Sequence, residues 1–134
     1  MTPFEHTVEL RVRYAETDAM GIVWHGNYLS YFEVARTESL RAAGIASYRA
    51  LEEAGIMMPV VDVGMEFFSP ARYDDVLRVT VRVREPLRAR IRFEYEVSNA
   101  DGARVMGGFT VLAFMDAKTR RPCRPPKELQ NFFK

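Results

Sequence analysis

One long segment of the sequence has the period of a helix, and it stands among segments with the period of a β-strand. Over residues 28–43, apolar side chains recur every three or four positions, which is the spacing of one helix face. The stripe comprises Leu29, Phe32, Arg36, Leu40 and Ala43, widened by Tyr28, Tyr31 and Ala35. A lone amphipathic helix in a strand-rich chain can bury that stripe only against a sheet. The sequence therefore predicts one helix lying on one sheet.

Five segments alternate between apolar and polar residues and predict strands: 7–14, 59–68, 76–84, 90–97 and 104–116. In the first two, the faces expected to be buried carry Val8, Leu10, Val12 and Tyr14, and Val61, Val63, Met65 and Phe67. The last segment is apolar on both faces, as a strand covered on both sides would be. Short connections favour antiparallel neighbours. We expect an α+β fold with a five-stranded antiparallel sheet and one long helix.

Turn and capping residues mark the boundaries of these segments. Asn27 can cap the start of the long helix, and Gly44 can end it in the left-handed conformation. A second, short helix is expected over 47–54, ending at Gly55. The tetrapeptide "NADG" at 99–102 predicts a hairpin turn.

Composition narrows the class of protein. A chain of 134 residues fits one domain, here taken as residues 1–134, and a formal net charge of +1 gives no strong field toward nucleic acid or an anionic membrane. Cys123 is the single cysteine, which excludes an intrachain disulfide. The N-terminal residues show no signal-peptide pattern, and no apolar run is long enough for a membrane span. We expect a cytoplasmic protein without membrane insertion.

Residues 13–37, "RYAETDAMGIVWHGNYLSYFEVART", resemble the helix-start motif of the hotdog-fold thioesterases. Among these thioesterases, the resemblance is to the 4-hydroxybenzoyl-CoA thioesterase-like branch, which includes the Tol-Pal-associated acyl-CoA thioesterases. The matching residues are Asp18, Gly21, Ile22, Val23, His25, Asn27, Tyr28, Ala35 and Arg36. Two further landmarks, "SPARYDDVLRV" at 69–79 and "TRRPCRPP" near the end, extend the resemblance over nearly the whole chain.

The resemblance implies a sheet wrapped around the long helix and hydrolysis of acyl-CoA thioesters. It also implies a homodimer with one continuous sheet and active sites at the dimer interface, often assembled into a dimer of dimers, a homotetramer. We expect no cofactor and no metal.

Asp18 is the expected catalytic carboxylate. The leaving thiol has a pKa of roughly 8.5 and departs as a thiolate, so one carboxylate can suffice without a strong general acid. Asp18 could attack the thioester carbonyl or activate a water molecule, and the sequence leaves both open. The chain has only two histidines and no G-x-S-x-G elbow, which argues against a serine triad.

The oxyanion is expected where backbone N–H groups are unpaired, at the start of the helix near Asn27. The resemblance puts this donor at His25, whose side chain is also a candidate catalytic group. Gly21 would let the loop approach the substrate closely.

Other substrate-binding residues are expected in the same motif and in a distant hairpin. Ile22, Val23 and Trp24 would supply apolar walls for the acyl group, and Asn27 and Tyr28 complete the motif, although Trp24 and Tyr28 also suit a core or an interface. Arg88 and Arg90 resemble the basic residues that bind the nucleotide end of coenzyme A, since Arg forks suit phosphates. For the other arginines nearby, a solvated sheet face balanced by Glu94 and Glu96 is the simpler interpretation.

Alternatives remain open at this point. Glu33 on the helix is a second candidate acid, although Arg36, three residues on, is within reach of a structural ion pair. A non-catalytic acyl-CoA-binding protein and a hotdog dehydratase or hydratase are alternative functions. The second of these needs a histidine motif that the chain lacks. Nucleic-acid binding through the arginines is disfavoured by the near-neutral charge.

Overall fold

The computed structural model describes residues 4–44, 48–85, 88–127 and 129. In chain order its elements are β1 (Phe4–Arg11), a 3₁₀ turn (Tyr14–Glu16), α1 (Asn27–Ala42), α2 (Tyr48–Glu53), β2 (Ile56–Met57), β3 (Val60–Phe67), β4 (Val76–Val83), β5 (Arg90–Asn99), β6 (Arg104–Ala113) and β7 (Met115–Asp116). The predicted α+β fold, with a five-stranded antiparallel sheet and one long helix, is confirmed.

The main sheet has the strand order β1-β4-β5-β6-β3, and a separate two-stranded ribbon joins β2 to β7. Strands β4 and β5 alternate as the sequence predicts. Their fully buried side chains are Leu77, Val79, Val81, Val83, Ile91, Phe93, Tyr95 and Val97. This inner face of the sheet carries α1, so the core lies between the helix and the sheet.

Helix α1 lies against the sheet at Phe32. The Phe32 ring stacks on Tyr95 of β5, with ring centroids 4.0 Å apart and planes 5° from parallel. The neighbouring strand β6 has Gly108 at this point, where an added Cβ would come within 3.1 Å of the Phe32 ring and 2.5 Å of the Gly64 carbonyl oxygen. The missing side chain of Gly108 therefore lets the aromatic ring reach the sheet.

One turn further along α1, Arg36 points inward and is only 7% exposed. Its guanidinium donates to the hydroxyl of Tyr95 at 3.1 Å and to the hydroxyl of Tyr48 on α2. The Tyr95 hydroxyl is also 2.6 Å from that of Thr110 on β6. This buried network joins both helices to two strands, and each of its polar groups has a partner, as burial requires.

The ends of the first strand and of the long helix differ in part from expectation. Strand β1 ends at Arg11, so the alternation does not continue to Tyr14, which starts the 3₁₀ turn and is 77% exposed. Leu29 is also exposed, because the buried side of α1 is centred on Phe32 and Tyr28. The expected left-handed stop at Gly44 is confirmed by its φ of 91°.

Strand β3 departs from simple alternation. It forms one edge of the sheet, and its register with β6 shifts between Val60 and Asp62. Val61, Val63 and Phe67, which the sequence assigns to a buried face, are all more than 40% exposed. An edge strand has a neighbour on one side only, and within the described residues these three side chains stay largely uncovered, although Phe67 meets the Tyr28 ring of α1.

Within the described residues, no helix is both long and apolar enough to cross a membrane.

Two adjacent glycines of β6 provide a test of how tightly α1 lies on the sheet. Gly108→Ala should lower the free energy of unfolding by about 1–3 kcal/mol, because its Cβ overpacks against Phe32 and Gly64. Gly107→Ala should change it by less than about 0.5 kcal/mol, since its Cβ meets no atom closer than 3.6 Å. Urea unfolding of the two variants measures both effects. Equal losses would contradict this account of the contact.

Candidate active site

Residues 17–26, which we name the reaction loop, form a closed turn between β1 and α1. An antiparallel bridge joins Thr17 to Val23, and the Asp18 amide donates to the Ile22 carbonyl at 2.9 Å. The Gly21 amide donates to the Asp18 carbonyl at 3.0 Å, and Gly21 has a φ of 79°, which a glycine adopts without strain. The sequence thus closes the loop with its own backbone and holds Asp18 at the first position of the turn.

The Asp18 carboxylate is partly committed to the turn. Its Oδ1 accepts the Met20 amide at 2.8 Å, an Asx-type contact that fixes the side chain. Within the described residues, Oδ2 has no hydrogen-bond donor, so this oxygen is available to a substrate or a water molecule.

An open cavity of about 410 Å³ lies beside Asp18. It is bounded by the reaction loop on one side and by the end of β3 on the other, and its lining comprises Asp18, Met20, Ile22, Val23, His25, Tyr28, Phe67, Phe68, Ser69 and Pro70. The Val23 amide donates to the Ala71 carbonyl at 2.8 Å, which fixes the two walls to each other. The cavity is mainly apolar, with a carboxylate and an imidazole at its edge, a composition typical of small-molecule sites.

The start of α1 supplies two backbone donors. Gly26 is the N-cap, and Asn27, expected as the cap, is instead the first helical residue, with its side-chain amide donating to the Glu16 carbonyl at 2.7 Å. The amides of Asn27, Tyr28 and Leu29 donate to the carbonyls of Trp24, His25 and Gly26. In the described structure, the amides of His25 and Gly26, which immediately precede the first helical residue, have no protein acceptor. They are the N–H groups able to bind an anionic oxygen.

Trp24 lies outside the cavity and shapes the loop. A Cβ on Gly26 would come within 2.3 Å of the Trp24 indole, so the ring lies directly over this glycine. The centroids of the Trp24 and His25 rings are 5.0 Å apart. Only glycine at position 26 leaves room for this arrangement at the helix start.

Tyr28 forms an inner wall of the cavity. Its side chain is buried, and its ring lies 5.8 Å from that of Phe67. Burial raises the pKa of the Tyr28 hydroxyl to about 12, which a hydrogen bond with the Ala71 backbone offsets only in part. The phenol is therefore protonated at neutral pH and cannot serve as a base.

Of the residues that the sequence assigns to the site, five line one cavity: Asp18, Ile22, Val23, His25 and Tyr28. Gly21, Trp24 and Asn27 hold the loop in shape from outside the cavity. Sequence reasoning missed Met20, Phe67, Phe68, Ser69 and Pro70. The last four residues could have been predicted from the topology, because the alternating strand directions bring the end of β3 to the same end of the sheet as the end of β1.

Arg88 and Arg90 lie elsewhere in the chain. They flank a surface hollow at the connection between β4 and β5, whereas Asp18 follows the end of β1 that pairs with the start of β4. The eight residues of β4 separate these two ends by about 25 Å at roughly 3.3 Å per residue. One protomer therefore does not bring these arginines to Asp18.

The remaining arginines of this surface are mostly paired. Arg82 forms ion pairs with Glu5 and Glu96, while Arg84 and Arg92 both approach Glu94. This is the balanced, solvated sheet face expected from the sequence.

The expected ion pair between Glu33 and Arg36 is absent from the described structure. Arg36 turns into the core toward Tyr48 and Tyr95, and Glu33 remains on the exposed face of α1. Because Glu33 does not line the cavity at Asp18, it is poorly situated for catalysis there.

Within the described residues, no group of three potential metal ligands occurs.

Residues 12–133 match the model of the thioesterase-like superfamily. The chain belongs to this superfamily. It is 34% identical over 125 residues to the acyl-CoA thioesterase YbgC of Haemophilus influenzae, a match covering 92% of this chain and 90% of the relative.

Solved structures of other proteins support the same assignment. The DHNA-CoA thioesterase of Staphylococcus aureus superposes with a TM-score of 0.86 at 34% identity, over 96% of this chain and 83% of that one. A 4-hydroxybenzoyl CoA thioesterase complexed with 4-hydroxybenzoyl CoA has a TM-score of 0.86 at 24% identity, over 97% and 99% of the two chains, which shows the common fold. The expected family, hotdog fold and thioester-hydrolase class are confirmed.

The contact between Gly26 and Trp24 can be tested with the protein's own fluorescence, because Trp24 is its only tryptophan. Gly26→Ala should displace the indole and change its emission, and it should lower turnover by disturbing the helix start. Gly102→Ala is a control at a distance from Trp24, since it strains a glycine with a φ of 84° in the β5–β6 hairpin, whereas Gly26 has an ordinary helical φ of −66°. The control should destabilise the protein slightly and leave the emission unchanged. A normal Trp24 spectrum in Gly26→Ala would contradict the close contact.

Proposed function

We propose that this protein hydrolyses acyl-CoA thioesters to a free acid and coenzyme A at the cavity beside Asp18. The observation that carries the proposal is that Asp18 and His25 line the same apolar cavity, where, within the described residues, Oδ2 of Asp18 has no donor and the amide of His25, just before α1, has no acceptor. The superfamily and the acyl-CoA thioesterases among the relatives support the reaction class.

Asp18 acts in one of two ways. As a nucleophile, its Oδ2 adds to the thioester carbonyl carbon, the C–S bond breaks, and a mixed anhydride forms that water then hydrolyses to regenerate the carboxylate. As a general base, it takes a proton from a water molecule that attacks the same carbon, and the proton passes to the leaving thiolate. Both routes consume one water molecule and release the acid and the thiol.

The amides of His25 and Gly26 bind the oxyanion of the tetrahedral intermediate. They lie at the positive end of the α1 dipole, which stabilises negative charge there by typically 0.3–1 kcal/mol in addition to the hydrogen bonds. The His25 imidazole at the cavity edge orients the carbonyl group or Asp18.

A homodimer forms through β3. This edge strand offers unpaired backbone groups together with the exposed apolar side chains of Val61, Val63 and Phe67. Proteins normally protect such edges with charges, as at the opposite edge, where β1 exposes Glu5, Glu9 and Arg11. Pairing β3 with the same strand of a second copy satisfies its backbone and makes one continuous sheet across the dimer.

This dimer also accounts for the distant arginines. Antiparallel pairing of two β3 strands about a two-fold axis reverses the second sheet, so that its β4–β5 connection lies at the same end as Asp18 of the first copy. Arg88 and Arg90 of one protomer then bind the phosphates of coenzyme A whose acyl end is in the other. In the described structure neither arginine forms an ion pair, which leaves both available for phosphate.

Assembly of dimers into a homotetramer and a cytoplasmic location stay predictions from the family resemblance and the sequence.

The role of Asp18 is tested by Asp18→Asn, which keeps the shape of the side chain and removes its basicity. We expect thiol release from acyl-CoA to fall by about a thousandfold or more in kcat, with the midpoint of thermal unfolding within about 4 °C of the wild type. Asp101→Asn in the β5–β6 hairpin is the matched control and should keep wild-type turnover. Wild-type rates in Asp18→Asn would move the role elsewhere, and Glu33→Gln would then be assayed.

A panel of acyl-CoAs separates the enzyme from its alternatives. Release of free thiol by the wild type supports hydrolysis. Tight binding without thiol release from any panel member would favour a non-catalytic acyl-CoA-binding protein, and conversion of an enoyl-CoA without thiol release would favour a hydratase.

The phosphate role of the arginines is tested by the double substitution Arg88→Gln and Arg90→Gln. Losing charge-assisted hydrogen bonds should raise KM for acyl-CoA about tenfold or more. The KM for the matching acyl-pantetheine should not change, because pantetheine carries no phosphate. Equal effects on both substrates, or none, would contradict the assignment. Arg78→Gln on the same sheet face is the control and should alter neither value.

A further inference from the structure

We propose that Glu16 is a positioning residue that holds Asp18 and the two oxyanion amides in their reactive arrangement. The proposal rests on the proposed reaction at Asp18. Glu16 does not line the cavity, and no contact with substrate is assigned to it.

Glu16 accepts four hydrogen bonds. Its carboxylate Oε1 accepts the Arg13 amide at 2.8 Å and the Tyr31 hydroxyl at 3.0 Å. Its backbone carbonyl accepts the Trp24 amide at 3.0 Å and the Asn27 side-chain amide at 2.7 Å. Glu16 thus closes its own 3₁₀ turn, which follows β1, and joins that turn to the far side of the reaction loop and to the first two turns of α1.

These partners bracket the reacting groups along the chain. Asp18 follows Glu16 by two residues, and the free amides of His25 and Gly26 lie between Trp24 and Asn27. The Glu16 carbonyl therefore fixes both ends of the segment that carries the oxyanion donors, at a point close to the carboxylate. Catalytic groups have to be held within about 0.5 Å of their productive positions, and an error of about 1 Å can cost a hundredfold in rate.

The side-chain contact extends this support to the cavity wall. Tyr31 is only 3% exposed, and its ring meets that of Tyr28 edge-on at 5.6 Å. Burial, followed by the hydrogen bond to Glu16, raises the pKa of the Tyr31 hydroxyl, so it remains a donor at neutral pH. A bond from a phenol to a carboxylate is charge-assisted and stronger than a neutral one. Glu16 consequently restrains Tyr28 through Tyr31 as well as restraining the loop directly.

A simpler interpretation is that Glu16 only closes a surface turn and contributes to stability. The two roles make different predictions for the kinetic constants. A stability role lowers the amount of folded enzyme, whereas loss of positioning lowers kcat of the folded enzyme much more than it changes KM, since every side chain that lines the cavity is still present. The amide substitution is informative, because both side-chain bonds go to a single oxygen, and Glu16→Gln keeps one carbonyl oxygen that can accept them.

The experiment compares Glu16→Ala, Glu16→Gln and Tyr31→Phe by thiol release, with concentrations corrected for folded protein by thermal unfolding. Glu16→Ala should lower kcat by about a hundredfold and change KM by less than about threefold. Glu16→Gln should recover most of that loss, and Tyr31→Phe should fall between them. Glu9→Ala, which removes an exposed carboxylate from β1, is the control and should behave like the wild type.

Amide hydrogen exchange of the reaction loop gives a readout independent of turnover. Glu16→Ala keeps the backbone carbonyl that accepts the Trp24 amide but loses the side-chain bonds to Arg13 and Tyr31 that hold it in place, so it should speed exchange at Trp24, whereas Asp18→Asn should abolish turnover and leave that exchange slow. If the wild type released no thiol, the proposed function would fail, and the exchange data would still judge Glu16. The positioning role is overturned if Glu16→Ala keeps wild-type kcat, if Glu16→Gln is as impaired as Glu16→Ala, or if loop exchange is unchanged.

Discussion

The contact of Phe32 with Tyr95 over Gly108 sets the position of α1, and the candidate active site depends on that position. The stacked rings fix the height of the helix above the two strands, and the glycine fixes how closely it can approach. Phe32 lies five residues after the start of α1 at Asn27, or about 7.5 Å along the axis at 1.5 Å per residue. An anchor so near the helix start leaves little freedom to the first turn, beside which the proposed oxyanion donors lie.

The site is assembled where this anchored helix start meets one end of the sheet. Tyr28 approaches Phe67 at the end of β3, and the reaction loop is fixed to the segment after β3 through Val23 and Ala71. Glu16 connects the 3₁₀ turn that follows β1 to α1 through Asn27 and Tyr31. The apolar cavity and the carboxylate thus belong to one rigid unit, and a preorganised site of this kind does not have to reorganise as charge develops.

The sequence predicts the fold well wherever burial on one face decides the residue type. Strands β4 and β5 alternate clearly because each has a neighbour on both sides and α1 on its inner face. The prediction fails where local turn chemistry or an edge overrides the pattern. Tyr14 continues the alternation of β1 but belongs to a 3₁₀ turn, Asn27 has the right chemistry for a cap but uses its amide on Glu16, and β3 is an edge whose apolar residues have no cover within the protomer.

The candidate site was predictable to the extent that it is contiguous in sequence. Asp18 and His25 lie within one motif, so the chain itself keeps them together. The wall formed by Phe67 and its neighbours comes from about fifty residues further on and is brought there only by strand direction. The arginines of the β4–β5 connection are a third case, because no fold of a single protomer with this sheet brings them to Asp18. In the proposed dimer, pairing at the apolar edge of β3 explains both why its side chains are exposed and why the arginines lie far from Asp18 of the same chain. As proposed, the pairing that covers it also brings the basic β4–β5 connection of one copy to the cavity beside Asp18 of the other, so loss of the dimer is expected to remove the proposed nucleotide recognition while leaving Asp18 and the proposed oxyanion donors in place.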